Sequence, residues 1–310
     1  MAGGAPFSPA DAAPGQATVA TLSRDGRWLA AGGRDGQVLA WRLGEPGPAL
    51  RLIGLGQPVT ALDVHPDGSL LVASGAAGAL RAWSLPEGRV AFAGGHAQPI
   101  YQLQFASAGR RLLTLGADGE RVWSTDNGAL VYAGPSSSRY AFSSLRADGE
   151  KLGRVDWRQT LVSDVLSSRP LFAFSIDTIV ALFTRHGSQL VSADQNGQVA
   201  VWDERFRPLS SARHGAQVGE APGWWSPAVN FTQLPDGVVI SGGPDGRVRR
   251  WTPRRLEPVG ELARLDAPIS VLASTPDGRR VAAATAQGDL AVWDLPSGQV
   301  VQRLAVPGRF

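Results

Sequence analysis

A pair of turn residues, usually Asp-Gly, returns along this chain at a nearly constant step, and that periodicity constrains the fold more than any other feature. The pair occurs at Asp25-Gly26, Asp67-Gly68, Asp148-Gly149, Asp236-Gly237 and Asp277-Gly278, with weaker versions at Ala108-Gly109 and His186-Gly187. Successive steps are 42, 41, 40, 38, 50 and 41 residues. A second turn follows at Asp35-Gly36, Ala77-Gly78, Asp118-Gly119, Asn196-Gly197, Asp245-Gly246 and Gln287-Gly288. Beyond each second turn comes a tryptophan: Trp41, Trp83, Trp123, Trp202, Trp251 and Trp293. Six of the ten tryptophans therefore occupy one position of one repeat.

Between these anchors the chain reads as short strands. In the second repeat they are Val59–Val64, Leu70–Ser74, Ala79–Trp83 and Val90–Phe92. Strands of about five residues joined by glycine-containing turns form antiparallel hairpins. Four strands in about 40 residues make one blade of a β-propeller. Seven periods predict an all-β, seven-bladed β-propeller with four-stranded antiparallel blades around a central channel. The expected organisation is a flexible tail over residues 1–16 and a single propeller over 17–310. The fourth blade, about 139–168, is degenerate: counting from its first turn puts Asp164 where tryptophan belongs. Leu145, Leu152 and Leu161 keep positions that are apolar elsewhere.

Composition narrows the function. There is no cysteine, which excludes disulfides, thiolate metal sites and cysteine nucleophiles. The net charge is +3, and 29 of the 30 basic residues are arginine, so the balance does not call for nucleic acid. No run approaches the roughly 18 apolar residues of a membrane helix. Residues 1–16 do not read as a signal peptide, so the default compartment is cytoplasmic, or periplasmic if an export signal was removed. The bias to Ala, Gly and Arg suggests a GC-rich bacterial genome.

The segments Val59–Ser84 and Ile269–Asp294 resemble WD repeats, as do the pairs Trp202-Asp203, Trp293-Asp294 and Gly95-His96. The likeness to the WD-repeat (WD40) β-propeller family covers roughly residues 17–305. It implies a hydrogen-bonded group in each blade, built from turn Asp, Gly-His histidine, Ser or Thr, and repeat Trp. Only the third repeat offers most of it, as His96, Thr114, Asp118 and Trp123. Trp41, Trp83, Trp202, Trp251 and Trp293 are structural on the same reading. Many propellers of this family borrow their last strand from the N-terminus. Here Gln299–Leu304 reads as an outer strand of its own, so each blade is expected to be contiguous.

No arrangement for catalysis stands out. His65 and His186 lie in turns, His96 matches the structural position, and His214 lies in a loop. No two have metal-ligand spacing. The abundant Asp-Gly pairs are explained by turns, in which Asp accepts backbone hydrogen bonds and Gly tolerates positive φ. Gly242–Gly246 reads as a hairpin turn, not a phosphate cradle. The chain is therefore expected to be a non-catalytic interaction scaffold or complex subunit, without cofactor or metal. Its partners would be one or more proteins, not nucleic acid or a small-molecule substrate.

By the resemblance, partners dock on the top face, which carries the blade-to-blade connections and second turns. Three features there exceed what folding needs. The 50-residue step places Trp224-Trp225 in a long loop that either caps the propeller or meets a partner. Trp157-Arg158 stand in the second turn of the degenerate blade, as an anchor pair or as part of an irregular turn. Arg34, Gln57, Gln98, Arg139, Tyr140, Asp177 and Asp266 outline a mixed-charge face, although each alone fits plain solvated surface. Two other function classes are alternatives. One is a hydrolase or lactonase-like propeller enzyme with a channel metal. The other is an anionic-surface or nucleic-acid binder using Arg249, Arg250, Arg254 and Arg255, for which a solvated edge is the simpler reading.

Overall fold

The structure, a computed structural model, describes residues 17–45, 47–135, 142–156, 159–174, 178–183, 189–194, 198–213, 230–252, 257–275, 277–285 and 287–305. It is all-β: seven four-stranded antiparallel sheets, and no helix among the described residues. These are the seven blades of a β-propeller. Each is made of four consecutive strands, as expected for contiguous blades.

The first blade holds β1 (Ala17–Leu22), β2 (Trp28–Gly33), β3 (Val38–Arg42) and β4 (Leu50–Leu52). The second holds β5 (Val59–Val64), β6 (Leu70–Gly75), β7 (Ala79–Ser84) and β8 (Val90–Gly95). The third holds β9 (Ile100–Phe105), β10 (Arg111–Gly116), β11 (Gly119–Ser124) and β12 (Leu130–Ala133). The fourth holds β13 (Phe142–Leu145), β14 (Lys151–Asp156), β15 (Gln159–Asp164) and β16 (Pro170–Phe174). The fifth holds β17 (Thr178–Phe183), β18 (Leu190–Asp194), β19 (Gln198–Trp202) and β20 (Pro208–Arg213). The sixth holds β21 (Asn230–Gln233), β22 (Val239–Gly242), β23 (Arg247–Trp251) and β24 (Pro258–Arg264). The seventh holds β25 (Ile269–Ser274), β26 (Arg280–Thr285), β27 (Asp289–Asp294) and β28 (Gln299–Ala305).

The chain divides into two compact units. One contains blades one to three together with Asp148–Lys151 and Asp164–Arg169; the other contains the remainder of blade four and blades five to seven.

In the first unit, period-two alternation gives blade two an apolar face toward each neighbour. Leu71, Ala73 and Trp83 of blade two pack with Trp28, Val38 and Leu52 of blade one. Val72, Leu80, Ala82 and Phe92, from the other face of the same blade, pack with Ile100, Leu112 and Trp123 of blade three. The repeat tryptophan thus faces the preceding blade. The second unit repeats the scheme, with Trp251 on Val191 and Val201, and Trp293 on Ile240 and Val248. Close approach of neighbours requires glycine at one position of the second strand. A Cβ on Gly32 would stand 2.5 Å from Val59, and one on Gly242 would stand 2.6 Å from Ile269.

The first turns are built as their sequence implies. Asp25 Oδ1 accepts the Arg27 amide at 2.9 Å, Asp67 the Ser69 amide at 2.8 Å, and Asp277 the Arg279 amide at 2.9 Å. Gly26, Gly68 and Gly278 sit at φ 70°, 80° and 70°, a region closed to most side chains.

Blade four departs from the expected register. Ser163 pairs with Pro170 just as Trp202 pairs with Pro208 and Trp251 with Pro258. Ser163 therefore holds the tryptophan position, and Asp164 stands one place later. Leu145 and Leu152 are buried as expected, whereas Leu161 is only half-buried.

Candidate functional site

The expected polar group of blade three is fully assembled. Trp123 Nε1 donates to Thr114 Oγ1 at 2.9 Å, and Thr114 Oγ1 lies 2.7 Å from His96 Nε2. His96 Nδ1 lies 2.6 Å from Asp118 Oδ1, and Asp118 Oδ2 accepts the Ala97 amide at 2.8 Å. Burial lowers the His96 pKa and outweighs the opposing pull of Asp118. The neutral ring makes the chain run one way: Trp123 to Thr114, Thr114 to Nε2, and Nδ1–H to the carboxylate. These four side chains tie β10, β11 and the turn between them to the connection that precedes β9. Their donors and acceptors are spent on the fold.

Equivalent positions in other blades keep fragments of this group, the repeat tryptophan above all. Trp202 Nε1 donates to Ser192 Oγ at 2.9 Å, and Trp251 Nε1 to Ser241 Oγ at 2.6 Å. Blade two keeps the tryptophan alone. Leu55, Ala73 and Ala77 stand where blade three has His96, Thr114 and Asp118, and Trp83 Nε1 turns to the Ile53 carbonyl at 3.2 Å. Blade seven has buried Leu265 at the histidine position, with its amide on the Gly246 carbonyl at 2.8 Å. Removing every polar partner together avoids leaving any of them buried and unpaired.

The aspartate after the repeat tryptophan caps the outer hairpin. Asp203 Oδ1 accepts the Arg205 and Arg207 amides, both at 2.9 Å. Asp294 Oδ2 accepts the Ser297 amide at 3.1 Å, and Asp164 Oδ1 the Ser167 amide at 2.8 Å. Blade four keeps the aspartate although it has lost the tryptophan. The Arg207 amide, and then its guanidinium, hold the Asp203 carboxyl below its usual range.

A second recurring contact links first strands of adjacent blades. Asp63 Oδ2 accepts the Phe105 amide at 2.9 Å, and Ser144 Oγ accepts the Phe183 amide at 2.9 Å. Thr232 Oγ1 lies 2.9 Å from Ser274 Oγ. The register against the second strands makes Asp63, Ser144 and Thr232 one repeat position. Burial pushes the Asp63 carboxyl up to about 6, against the Phe105 and Val64 amides that hold it down. His65 bridges the same two blades, with Nε2 3.0 Å from the Gly109 carbonyl and Nδ1 2.5 Å from Asp67 Oδ1.

Of the expected partner-facing residues, Arg34, Gln98 and Asp266 are exposed. Gln57 is half-buried, and its Oε1 accepts the Ala77 amide, so it braces the second turn of blade two. Trp224, Trp225, Trp157, Arg158, Arg139, Tyr140 and Asp177 lie outside the described residues, as do His186, His214, Arg254 and Arg255. Arg249 is not part of a solvated basic edge. It donates to Asp245 Oδ2 at 2.9 Å, and its side chain is 15% exposed. Arg247 is likewise paired, with Glu261 at 2.8 Å. Among the described residues, no three His, Asp or Glu side chains gather to hold a metal ion.

A family model described as WD domain, G-beta repeat matches residues 14–42 and 51–84.

The chain carries WD40 repeats.

Transcription initiation factor TFIID subunit 5 of Caenorhabditis elegans is 29% identical over 177 residues, 55% of this chain and 27% of that protein. Telomerase protein component 1 of Rattus norvegicus is 26% identical over 292 residues, 86% of this chain and 10% of that protein. The chain thus spans about a quarter and a tenth of these relatives' lengths. Among solved structures, the C-terminal WD40 domain of Sif2 matches at TM-score 0.73 and 19% identity, over 91% of this chain and 82% of that one. The computationally designed Ika8 protein matches at TM-score 0.71 and 21% identity, over 95% of this chain and 88% of that one. These two likenesses establish the β-propeller fold alone. No described helix is long and apolar enough to cross a membrane.

Proposed function

We propose that this WD40 chain is a non-catalytic interaction scaffold, a subunit of a larger protein assembly. It engages protein partners at the blade ends that carry second turns and connections. The observation that carries this reading is the match to two relatives whose names call them a subunit and a component. The fate of the polar side chains supports it. His96, Thr114, Asp118, Asp203 and Asp294 are committed to holding blades and hairpins, whereas Arg34, Gln98 and Asp266 remain exposed. The Trp224-Trp225 loop and the Trp157-Arg158 turn supply the large anchor side chains on this reading.

Affinity capture from the source organism tests it, comparing wild type with Trp224→Ala/Trp225→Ala. The expected result is a stoichiometric partner that the double variant loses. A partner retained by both discards that loop and keeps the scaffold. No partner with either protein overturns the reading.

A further inference from the structure

Arginine recurs two positions before the repeat tryptophan in blades two, three and six, as Arg81, Arg121 and Arg249. In two of these blades it has an internal acid. Arg121 Nη2 lies 3.1 Å from Asp118 Oδ2 and also donates through Nη1 to the Gly95 carbonyl. Arg249 Nη1 lies 2.9 Å from Asp245 Oδ2. The acid comes from the second turn in both cases. In blade two that turn residue is Ala77, and Leu55 and Ala73 have replaced the other polar members of the group.

Arg81 keeps the geometry of its counterparts without their charge partner. It is partly buried, and its guanidinium lies against Gly54, the residue equivalent to Gly95. Among the described residues it makes no ion pair. Gly54 beside it and Ala77 at the turn position are exposed and uncharged, and the uncharged Gln57 amide braces that turn. Next to Gly54, Ile53 is 81% exposed, the highest among the described large apolar residues. Leu55 and Trp83 are buried in the core between blades one and two, and Trp83 Nε1 donates to the Ile53 carbonyl. A cation thus lies against Gly54, next in sequence to exposed Ile53, with alanine in place of the aspartate that neutralises its equivalents.

We propose that blade two is an acid-recognition subsite: a carboxylate side chain of a protein partner pairs with Arg81, and an apolar neighbour on that partner covers Ile53. The incoming carboxylate replaces the missing turn aspartate. The fork of donors that pairs with Asp118 in blade three is free to pair bidentately here. Ala77 leaves room, because a methyl group stands where blade three projects a carboxylate. The subsite rests on the scaffold reading and gives its partner a chemistry.

The test uses two fluorescein-labelled nine-residue peptides, one alternating Leu and Glu and the other Leu and Gln, read by fluorescence polarisation. The full chain is expected to bind the Glu peptide at least about tenfold tighter, with the preference shrinking at high salt. Ala77→Asp restores the internal pair, so it should abolish the preference while keeping or raising the melting midpoint. Arg81→Met should abolish the preference as well. Equal binding of the two peptides by wild type, or an undiminished preference in Ala77→Asp, overturns the subsite. The scaffold reading fails separately, by absence of a captured partner. A partner captured equally by wild type and Ala77→Asp overturns acid recognition and leaves the scaffold in place.

Discussion

Asp63 of blade two accepts a hydrogen bond from the Phe105 amide of blade three at 2.9 Å, joining the first strands of two blades through a carboxylate. Serine and threonine perform the equivalent task at Ser144 and Thr232. Only Asp63 makes that link a titrating one.

Its effect on stability has a definite sign. The folded pKa stands at about 6, above the ordinary 3.8, so between these values the folded chain holds more protons than the unfolded one. Asp63 therefore costs stability as pH rises from about 4 to about 6. Asp63→Asn should remove that slope, raising stability at pH 7 relative to wild type by about 3 kcal/mol less whatever the amide loses in hydrogen bonding. Urea midpoints of both proteins at pH 4.5 and pH 7 check this; parallel changes would refute it.

His96 should act in the opposite sense. Its pKa is lowered, so the folded chain holds fewer protons, and its stabilisation is full above 6.5 and lost as pH falls. His96→Leu should flatten this part of the profile. The lost contacts leave Thr114 and Asp118 short of a partner, at a cost of about 2 kcal/mol.

Blade two shows how that loss can be recovered. The triple variant His96→Leu/Thr114→Ala/Asp118→Ala copies Leu55, Ala73 and Ala77. It should be less destabilised than the sum of its single substitutions, because no polar partner is left waiting. Denaturant melts of the four proteins measure the coupling, and strict additivity would contradict it.

Ser168 and Phe206 hold left-handed backbone, at φ 56° and 58°, in hairpin turns where other blades place Gly88, Gly128 and Gly298. Ser168 is exposed, and Ser168→Gly should stabilise by about 1 kcal/mol. Phe206 is buried and stacks on Phe172 at 5.4 Å between ring centroids. Phe206→Gly should therefore destabilise by about 2 kcal/mol or more, since lost packing exceeds relieved strain. Thermal midpoints shifting in the same direction for both variants would refute the argument.

The repeat was legible because strands, turns and tryptophans obey local rules. Asp-Gly at a turn and alternation along a strand need no distant partner, so they survive in one dimension. The same holds for His96, Thr114, Asp118 and Trp123, whose spacing announces their group. The register of blade four was not legible. Its outer hairpin keeps the Asp164 cap while Ser163 takes the tryptophan position, and only strand pairing shows which is which. Contacts between blades were hidden for a related reason. Asp63 meets Phe105 across 42 residues, and nothing at either position marks the other. Arg249 and Arg81 differ in sequence four residues upstream, Asp245 against Ala77, but only the folded turn shows that this acid reaches back to the arginine. The chain's local chemistry determined the blades, their number and their order. Tertiary structure decided which polar groups are spent in pairs and which remain for a partner, because that depends on distances between segments that sequence order does not encode.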